Sequence, residues 1–155
     1  WGEEKTQEWL TAVQANEPTR YPKNSPQVAA ANEGTLDIGW VNHYYLHRLE
    51  KEGRVAKNWS FPNPGDVGNV LMVAGAGIRK NSKNKQAAEA FINWLLTQDS
   101  QNYFAQEGFE YPTRPGIQTH PDVSALGPDQ LATVDQAHLA DLGPTREMLT
   151  ALGLL

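Results

Sequence analysis

The stretch Leu36-Asp37-Ile38-Gly39-Trp40-Val41, followed directly by Asn42-His43-Tyr44-Tyr45, decides the expected fold. Its first six residues form a short apolar run, which predicts a buried strand. The next four place amide, imidazole and phenol groups at the turn into a helix predicted from Tyr44 to Glu52. Ligand sites of α/β sheets lie beyond the carboxyl ends of the strands. The stretch therefore predicts an α/β fold with a polar site at residues 42–45.

Helix signals surround this stretch. Periodic apolar residues predict helices over residues 3–15 and 85–97, the second with a wide apolar face. Ser25-Pro26 predicts a helix with Ser25 as its N-cap, and Gly34 predicts its end. Residues 69–74 form a second strand candidate. Helices that alternate with short apolar strands favour the α/β class.

Composition excludes several kinds of function. The chain has 155 residues, of which 39% are hydrophobic and 20% charged, as in a globular domain. Its net charge is -5 and it has no long basic run, so nucleic acid is not an expected partner. The absence of cysteine excludes disulfides, zinc–thiolate sites and iron–sulfur clusters. No apolar run approaches the roughly 20 residues that a transmembrane helix needs, so no transmembrane segment is predicted.

The adjacent tyrosines suggest a metal. Neighbouring side chains diverge in the middle of a helix and point to opposite faces of a strand, so we expect Tyr44 and Tyr45 to converge in the irregular turn between the two. A phenol has a pKa of about 10, so only a strongly polarising cation holds two phenolates at neutral pH. Ferric iron is the natural candidate. Ordinary half-buried packing of two tyrosines is the alternative, and the pair alone does not decide between them.

The chain resembles the periplasmic ferric-iron-binding proteins of bacterial ABC importers. The resemblance runs in one collinear order through residues 24–34, 36–45, 61–85 and 111–116, and the Asn-x-Tyr-Tyr element at 42–45 is its most specific part. It implies an α/β, periplasmic-binding-protein-like lobe of type II that is incomplete without an amino-terminal half. It also implies a location in the periplasm or on the extracellular face of the cell membrane.

The resemblance implies a site as well. In that family the adjacent tyrosines bind Fe(III), so Tyr44 and Tyr45 are the expected metal ligands. Asn24 and Asn42 are expected to hold a synergistic anion, phosphate or carbonate. The other ligands come from the amino-terminal half. His43 is a candidate extra ligand, although a solvent-facing or capping role is the more ordinary expectation for it.

The resemblance further divides the chain into three parts. Residues 1–74 are expected in the second lobe of a two-lobe binding protein, residues 75–125 in a crossover and a segment of the first lobe, and residues 126–155 in carboxyl-terminal helices. The expected partners are an ABC-transporter permease and either the missing amino-terminal lobe or a second chain. A second chain would form a dimer that covers the apolar face of residues 87–96.

Two other functions stay open at this stage. The same fold could bind another solute, such as a phosphonate, a sugar or a thiamine-like compound. A small hydrolase is the second alternative, but the sequence has neither a Gly-x-Ser-x-Gly nor a His-Glu-x-x-His motif, and no catalytic residue is predicted. We therefore expect a binding protein rather than an enzyme. His47 is expected at the surface, and His120 and His138 are given no role.

Overall fold

The computed structural model describes residues 1–49, 53–123 and 130–155. The chain divides into two compact units, one formed by residues 1–22 with 133–155 and the other by residues 23–132. The helices of the described part are α1 Glu3–Ala15, α2 Asn24–Asn32, α3 Tyr44–His47, α4 Lys85–Leu95, α5 Gln98–Gln106, a 3-10 helix Gln136–Ala140 and α6 Gly143–Ala151. No helix in this part of the chain is long and apolar enough to cross a membrane.

The first unit joins the two ends of the sequence. Helix α1 has the bounds that its apolar periodicity predicts. Near its end, Gln14 donates from Nε2 to the carbonyl oxygen of Leu152 at 2.5 Å. Arg20 donates to the carbonyl oxygen of Gly153 at 2.8 Å. These bonds hold the end of α1 and the segment after it against the end of α6.

Helix α2 opens the second unit. It begins at Asn24 with Lys23 as N-cap, so the predicted N-cap role of Ser25 is wrong. Pro26 is still tolerated, because the first-turn N–H groups of a helix have no partner within the helix. The predicted end is confirmed: Gly34 has φ 76, and the N–H groups of Gly34 and Thr35 return to the carbonyl groups of Ala31 and Ala30. This pattern is a Schellman motif, which favours glycine at that position.

The strand predictions fail in this structure. Residues 36–41 and 69–74 form no strand, and the described residues contain none. A strand needs a neighbouring strand for its N–H and C=O groups, and neither run has one here. Apolar side chains of both runs are accordingly exposed: Ile38 is 77% exposed and Met72 is 75% exposed. The α/β sheet therefore stays a prediction, and the described elements are helices joined by irregular segments.

Helix α3 is shorter than predicted. It ends at His47 with Arg48 as C-cap, whereas the sequence predicts a helix through Glu52. Residues 50–52 lie outside the described part. The short helix nevertheless has an inner face, because Leu46 and His47 are both buried. The structure thus keeps the predicted helix start at Tyr44 and places the two tyrosines in its first turn.

Helices α4 and α5 lie close to their predicted positions. Thr97 separates them and caps α5 by accepting a hydrogen bond from the N–H of Ser100 at 3.4 Å. Gln101 is buried in α5, and its Oε1 accepts from the N–H of Thr113 at 2.9 Å. This bond attaches the loop after α5 to the helix. The apolar face of α4 remains uncovered, with Phe91 57% exposed and Trp94 55% exposed.

Candidate functional site

The two tyrosines of α3 lie side by side. Their ring centroids are 4.6 Å apart and their planes differ by 32°. We predicted that they converge in an irregular turn, but they are the first two residues of the helix itself. Adjacent helical positions diverge by about 100°, so it is the side chains and not the backbone that bring the rings together. The rings of Tyr44 and Tyr45 therefore converge as predicted, but within a helix rather than in an irregular turn.

Arg48 contacts both rings. Its guanidinium carbon lies 4.8 Å from the ring centroid of Tyr44 and 4.8 Å from that of Tyr45. Arg48 follows the tyrosines by four and three residues, and this spacing places it on their side of the helix. Both distances fall within the range of cation–π attraction. Sequence reasoning missed this residue, although its spacing from the tyrosines was a usable signal.

The phenol oxygen of Tyr44 is hydrogen-bonded to Asn42. The Nδ2 group of Asn42 donates to the hydroxyl oxygen of Tyr44 at 3.2 Å. Burial raises the pKa of Tyr44, and so do a hydrogen bond with the Tyr45 side chain and the negative charge of Glu110, whereas the Asn42 bond lowers it. Because the two rings lie 4.6 Å apart, the two phenol groups are close enough to act as ligands of one cation. That cation has to displace a firmly held proton from Tyr44.

His43 faces inward. Its Nε2 lies 2.7 Å from the carbonyl oxygen of Phe109. A carbonyl oxygen only accepts, so Nε2 carries the proton and Nδ1 is left with a lone pair. The His43 ring also lies 4.9 Å from the ring of Tyr111. His43 is the N-cap residue of α3, as the capping expectation has it, but its side chain makes no cap hydrogen bond. The imidazole instead connects the start of α3 to the loop after α5.

His47 is buried rather than at the surface, because it lies on the inner face of α3. Its side chain is 9% exposed, and its ring stacks on Phe109 with centroids 4.9 Å apart. Asn58 donates from Nδ2 to Nε2 of His47 at 3.2 Å and to the carbonyl oxygen of His43 at 3.1 Å. The buried Nδ1 of His47 has no hydrogen-bond partner among the described residues. Burial lowers the pKa of His47, and the charges of Arg54 and His43 lower it further.

The loop of residues 108–112 is the part of the site that sequence reasoning missed. Phe109 has φ 57, an unusual value for a residue other than glycine. A Cβ on Gly108 would lie 2.6 Å from the carbonyl oxygen of Phe104, so this position requires glycine. Gly108 was the sequence signal that could have predicted a tight turn of the chain here. The return brings Phe109 and Tyr111 into contact with His43.

The predicted anion residues lie on two segments that a hydrogen bond connects. Asn24 is the first residue of α2, and Asn42 precedes α3. Gln27, one turn after Asn24, accepts from the N–H of Trp40 at 2.5 Å through Oε1. A Cβ on Gly39 would lie 3.3 Å from Gln27, so the two segments approach closely there. A shared anion between Asn24 and Asn42 stays a prediction.

Imidazole and carboxylate groups alone do not make a metal site in the described residues. No three His, Asp or Glu side chains there are grouped so that they could hold a metal ion. Any cation site in this part of the chain therefore depends on other oxygen donors. The phenol pair of Tyr44 and Tyr45 is the candidate that the geometry supplies.

Comparison with known proteins identifies relatives of the chain. The family described as bacterial extracellular solute-binding protein matches residues 4–127. The chain is 36% identical to Iron uptake protein A2 of Synechocystis sp. over 137 residues, which cover 81% of this chain and 39% of the relative. It is 31% identical to the Fe(3+)-binding periplasmic protein of Serratia marcescens over 159 residues, which cover 99% of this chain and 46% of the relative. The chain thus spans less than half the length of these relatives.

A third relative extends the pattern. The Major ferric iron-binding protein of Neisseria gonorrhoeae is 29% identical over 120 residues, which cover 75% of this chain and 36% of that protein. The resemblance inferred from the residues is confirmed, and so is the expected location in the periplasm or outside the cell. The family match covers most of the chain and includes α2, α3 and the loop after α5. The chain belongs to the bacterial extracellular solute-binding proteins.

Proposed function

We propose that this chain binds Fe(III) as part of the solute receptor of an ABC importer and that it is not an enzyme. The observation that carries the proposal is the pair of converging phenol groups on Tyr44 and Tyr45. Phenolates are hard oxygen donors, which suit a hard trivalent cation. The names of three relatives from separate organisms refer to iron, and this supports the same cargo here.

Binding would begin with loss of the two phenol protons to solvent as both oxygens coordinate the cation. The amide of Asn42 already donates to Tyr44, and it would continue to donate to the phenolate. Asn24 and Asn42 would hold phosphate or carbonate on the open side of the metal. Nδ1 of His43 has the lone pair that a further ligand needs, because its Nε2 donates to Phe109.

The remaining coordination sites require protein from outside this chain. An amino-terminal lobe would supply them, or a second chain in a dimer. In this arrangement residues 1–74 belong to the second lobe and residues 75–125 contribute to the first. Residues 126–155 return to the second lobe. Opening of the lobes would release the metal to a membrane permease. The exposed apolar face of α4 is consistent with such a covering partner.

A visible-absorption titration with ferric citrate tests the proposal. Wild type should develop a phenolate-to-iron band, and the variant Tyr44→Phe/Tyr45→Phe should not. The matched control is Tyr103→Phe, which removes a 65% exposed phenol from α5 and should leave the band unchanged. A wild-type chain that stays colourless in excess ferric citrate would contradict the proposal. Calorimetric binding of a phosphonate, sugar or thiamine-like compound without colour would instead favour another cargo.

A further inference from the structure

Residues 79–85, Arg79-Lys80-Asn81-Ser82-Lys83-Asn84-Lys85, form a basic segment in an acidic chain. Four of the seven residues are Lys or Arg, and no Asp or Glu occurs between Asp66 and Glu89. The whole chain has a net charge of -5, so the residues outside this segment are more acidic still. An anionic surface therefore repels most of the chain and attracts it at the basic segment.

The four cationic side chains of the basic segment are accessible. Exposure is shared by all of them: Arg79, Lys80, Lys83 and Lys85. None of the four forms an ion pair or a cation–π contact with a residue of the described ranges. Their charges are thus not neutralised within this part of the chain, and they can act on an external partner.

The backbone of the basic segment is folded, which concentrates its charges. The N–H of Ser82 donates to the carbonyl oxygen of Arg79 at 2.9 Å, so residues 79–82 form a turn. The ends of such a turn lie within about 7 Å of each other. The N–H of Asn84 donates to Oγ of Ser82 at 3.2 Å, and α4 begins at Lys85. The cations are therefore presented from one short, hydrogen-bonded stretch.

The start of α4 adds to the positive potential. Its N-cap residue, Asn84, makes no side-chain cap bond, and the first turn of the helix has no acidic residue. The free N–H groups at a helix start carry partial positive charge, which Lys85 reinforces rather than offsets. The unbound chain thus keeps like charges close together here, and an anionic partner would relieve their repulsion.

The residue types of the basic segment favour lipid headgroups over a protein surface. Protein–protein interfaces are depleted in Lys and Ser, and their binding energy comes mainly from Trp, Tyr and Arg anchors in well-packed pockets. Residues 79–85 include one Arg and no aromatic or large apolar residue. Long Lys side chains around a polar turn instead suit a layer of mobile anionic phosphates, to which each Lys or Arg adds attraction.

We propose that the basic segment docks this chain onto the anionic phospholipid surface of a membrane, without insertion into the bilayer. The inference goes beyond iron binding and does not depend on it, since none of the four cations belongs to the tyrosine site. The contact is electrostatic, so it is reversible and weakens as salt is raised. In the proposed function, it would concentrate the receptor at the membrane that holds its permease.

Vesicle flotation of the metal-free chain tests the inference. We expect wild type to float at low salt with vesicles of phosphatidylcholine and phosphatidylglycerol, but not with vesicles of phosphatidylcholine alone. Lys80→Glu/Lys83→Glu should weaken this binding at least about tenfold. The matched control, Lys23→Glu/Lys57→Glu, changes the net charge equally at two other exposed lysines and should keep most of the binding. Equal losses in both double variants would overturn the inference, because net charge alone would then drive binding.

Salt and phosphate separate the possible partners of wild type. A rise in ionic strength from about 0.01 M to about 0.1 M shortens the Debye length from roughly 30 Å to roughly 10 Å and should release the chain from the anionic vesicles. Inorganic phosphate should release it no better than chloride at equal ionic strength. A much stronger effect of phosphate would reveal a discrete anion site and overturn the inference. Wild type that does not float with anionic vesicles also overturns it, and retention on immobilised polyglutamate would then assign the segment to an acidic protein surface.

Discussion

Tyr44 and Tyr45 are adjacent in a helix, yet their rings lie 4.6 Å apart and within 32° of parallel. The guanidinium group of Arg48 lies 4.8 Å from each ring centroid and so contacts both rings. A cation that contacts two electron-rich rings attracts both, so Arg48 opposes the divergence of adjacent side chains on a helix. The phenol pair is therefore partly organised before any metal arrives, which reduces the ordering that binding requires.

We expect Arg48→Ala to loosen the tyrosine pair. Loss of two exposed cation–π contacts should lower the free energy of unfolding by about 1 kcal/mol. Urea unfolding, followed by tyrosine and tryptophan fluorescence, measures this change. Arg79→Ala removes an exposed arginine from an irregular segment and is the control, with no expected change. A loss of the same size in both variants would show that the contacts to Tyr44 and Tyr45 do not stabilise the fold.

Metal binding should depend steeply on pH. The pKa of Tyr44 is raised above its ordinary value, so the phenol is protonated at neutral pH and the cation must displace its proton. Metal affinity therefore falls as pH falls. If both tyrosines bind as phenolates, two protons leave, and the apparent affinity should rise about 100-fold per pH unit below the phenol pKa values.

Competition titrations against a chelator of known affinity, at several pH values, measure how the metal affinity changes with pH. The variant Tyr45→Phe can release only one phenol proton and should show about a tenfold change per pH unit. A change of only about tenfold per pH unit in the affinity of wild type would mean that a single tyrosine binds as a phenolate. Wild type with no slope would contradict phenolate coordination altogether.

Gly34 offers a test of the fold around the site. Its φ of 76 lies in the left-handed region, where a side chain is strained. We expect Gly34→Ala to destabilise the unit of residues 23–132 by about 1 kcal/mol. Gly75→Ala is the matched control, since Gly75 has no left-handed φ and no atom within 4 Å of the added Cβ. Thermal unfolding of both variants should show a lower midpoint for Gly34→Ala alone.

The sequence predicted correctly those features of the fold that depend on contacts between residues close together in the chain. Gly34 ends α2 because the left-handed position requires glycine, and the apolar periodicity of residues 85–95 forms α4. The polar cluster at residues 42–45 was found because those residues are contiguous. Each of these features depends on contacts within about one helical turn, which a single sequence displays directly.

The non-local features were not predictable in the same way. The runs 36–41 and 69–74 have strand composition, but strand formation depends on a partner strand elsewhere in the chain. The sequence predicts a surface position for His47. In the structure Phe109 and Asn58, which are distant in sequence, cover its side chain. Phe109 and Tyr111 reach His43 and His47 only through folding, and neither belongs to the Asn-x-Tyr-Tyr element.

His47 makes the stability of the metal-free chain sensitive to pH. Its folded-state pKa is lowered, first by burial and then by the charges of Arg54 and His43. The unfolded chain therefore binds the proton more readily than the folded one. The stabilising effect of the neutral imidazole is present above pH of about 6.5 and is lost as pH falls through the lower folded pKa.

We expect the free energy of unfolding to fall in that window with a slope of at most about 1.4 kcal/mol per pH unit, the value for one proton. Urea unfolding of the metal-free chain between pH 7.5 and pH 5 measures it, a range of roughly two and a half units around the ordinary histidine pKa. His47→Gln should flatten the profile, because glutamine does not titrate. His120→Gln, which removes the neighbouring histidine that lies 3.9 Å from Asp122, measures how much of the slope that pair contributes. A wild-type slope that persists in His47→Gln would assign the pH dependence to other groups.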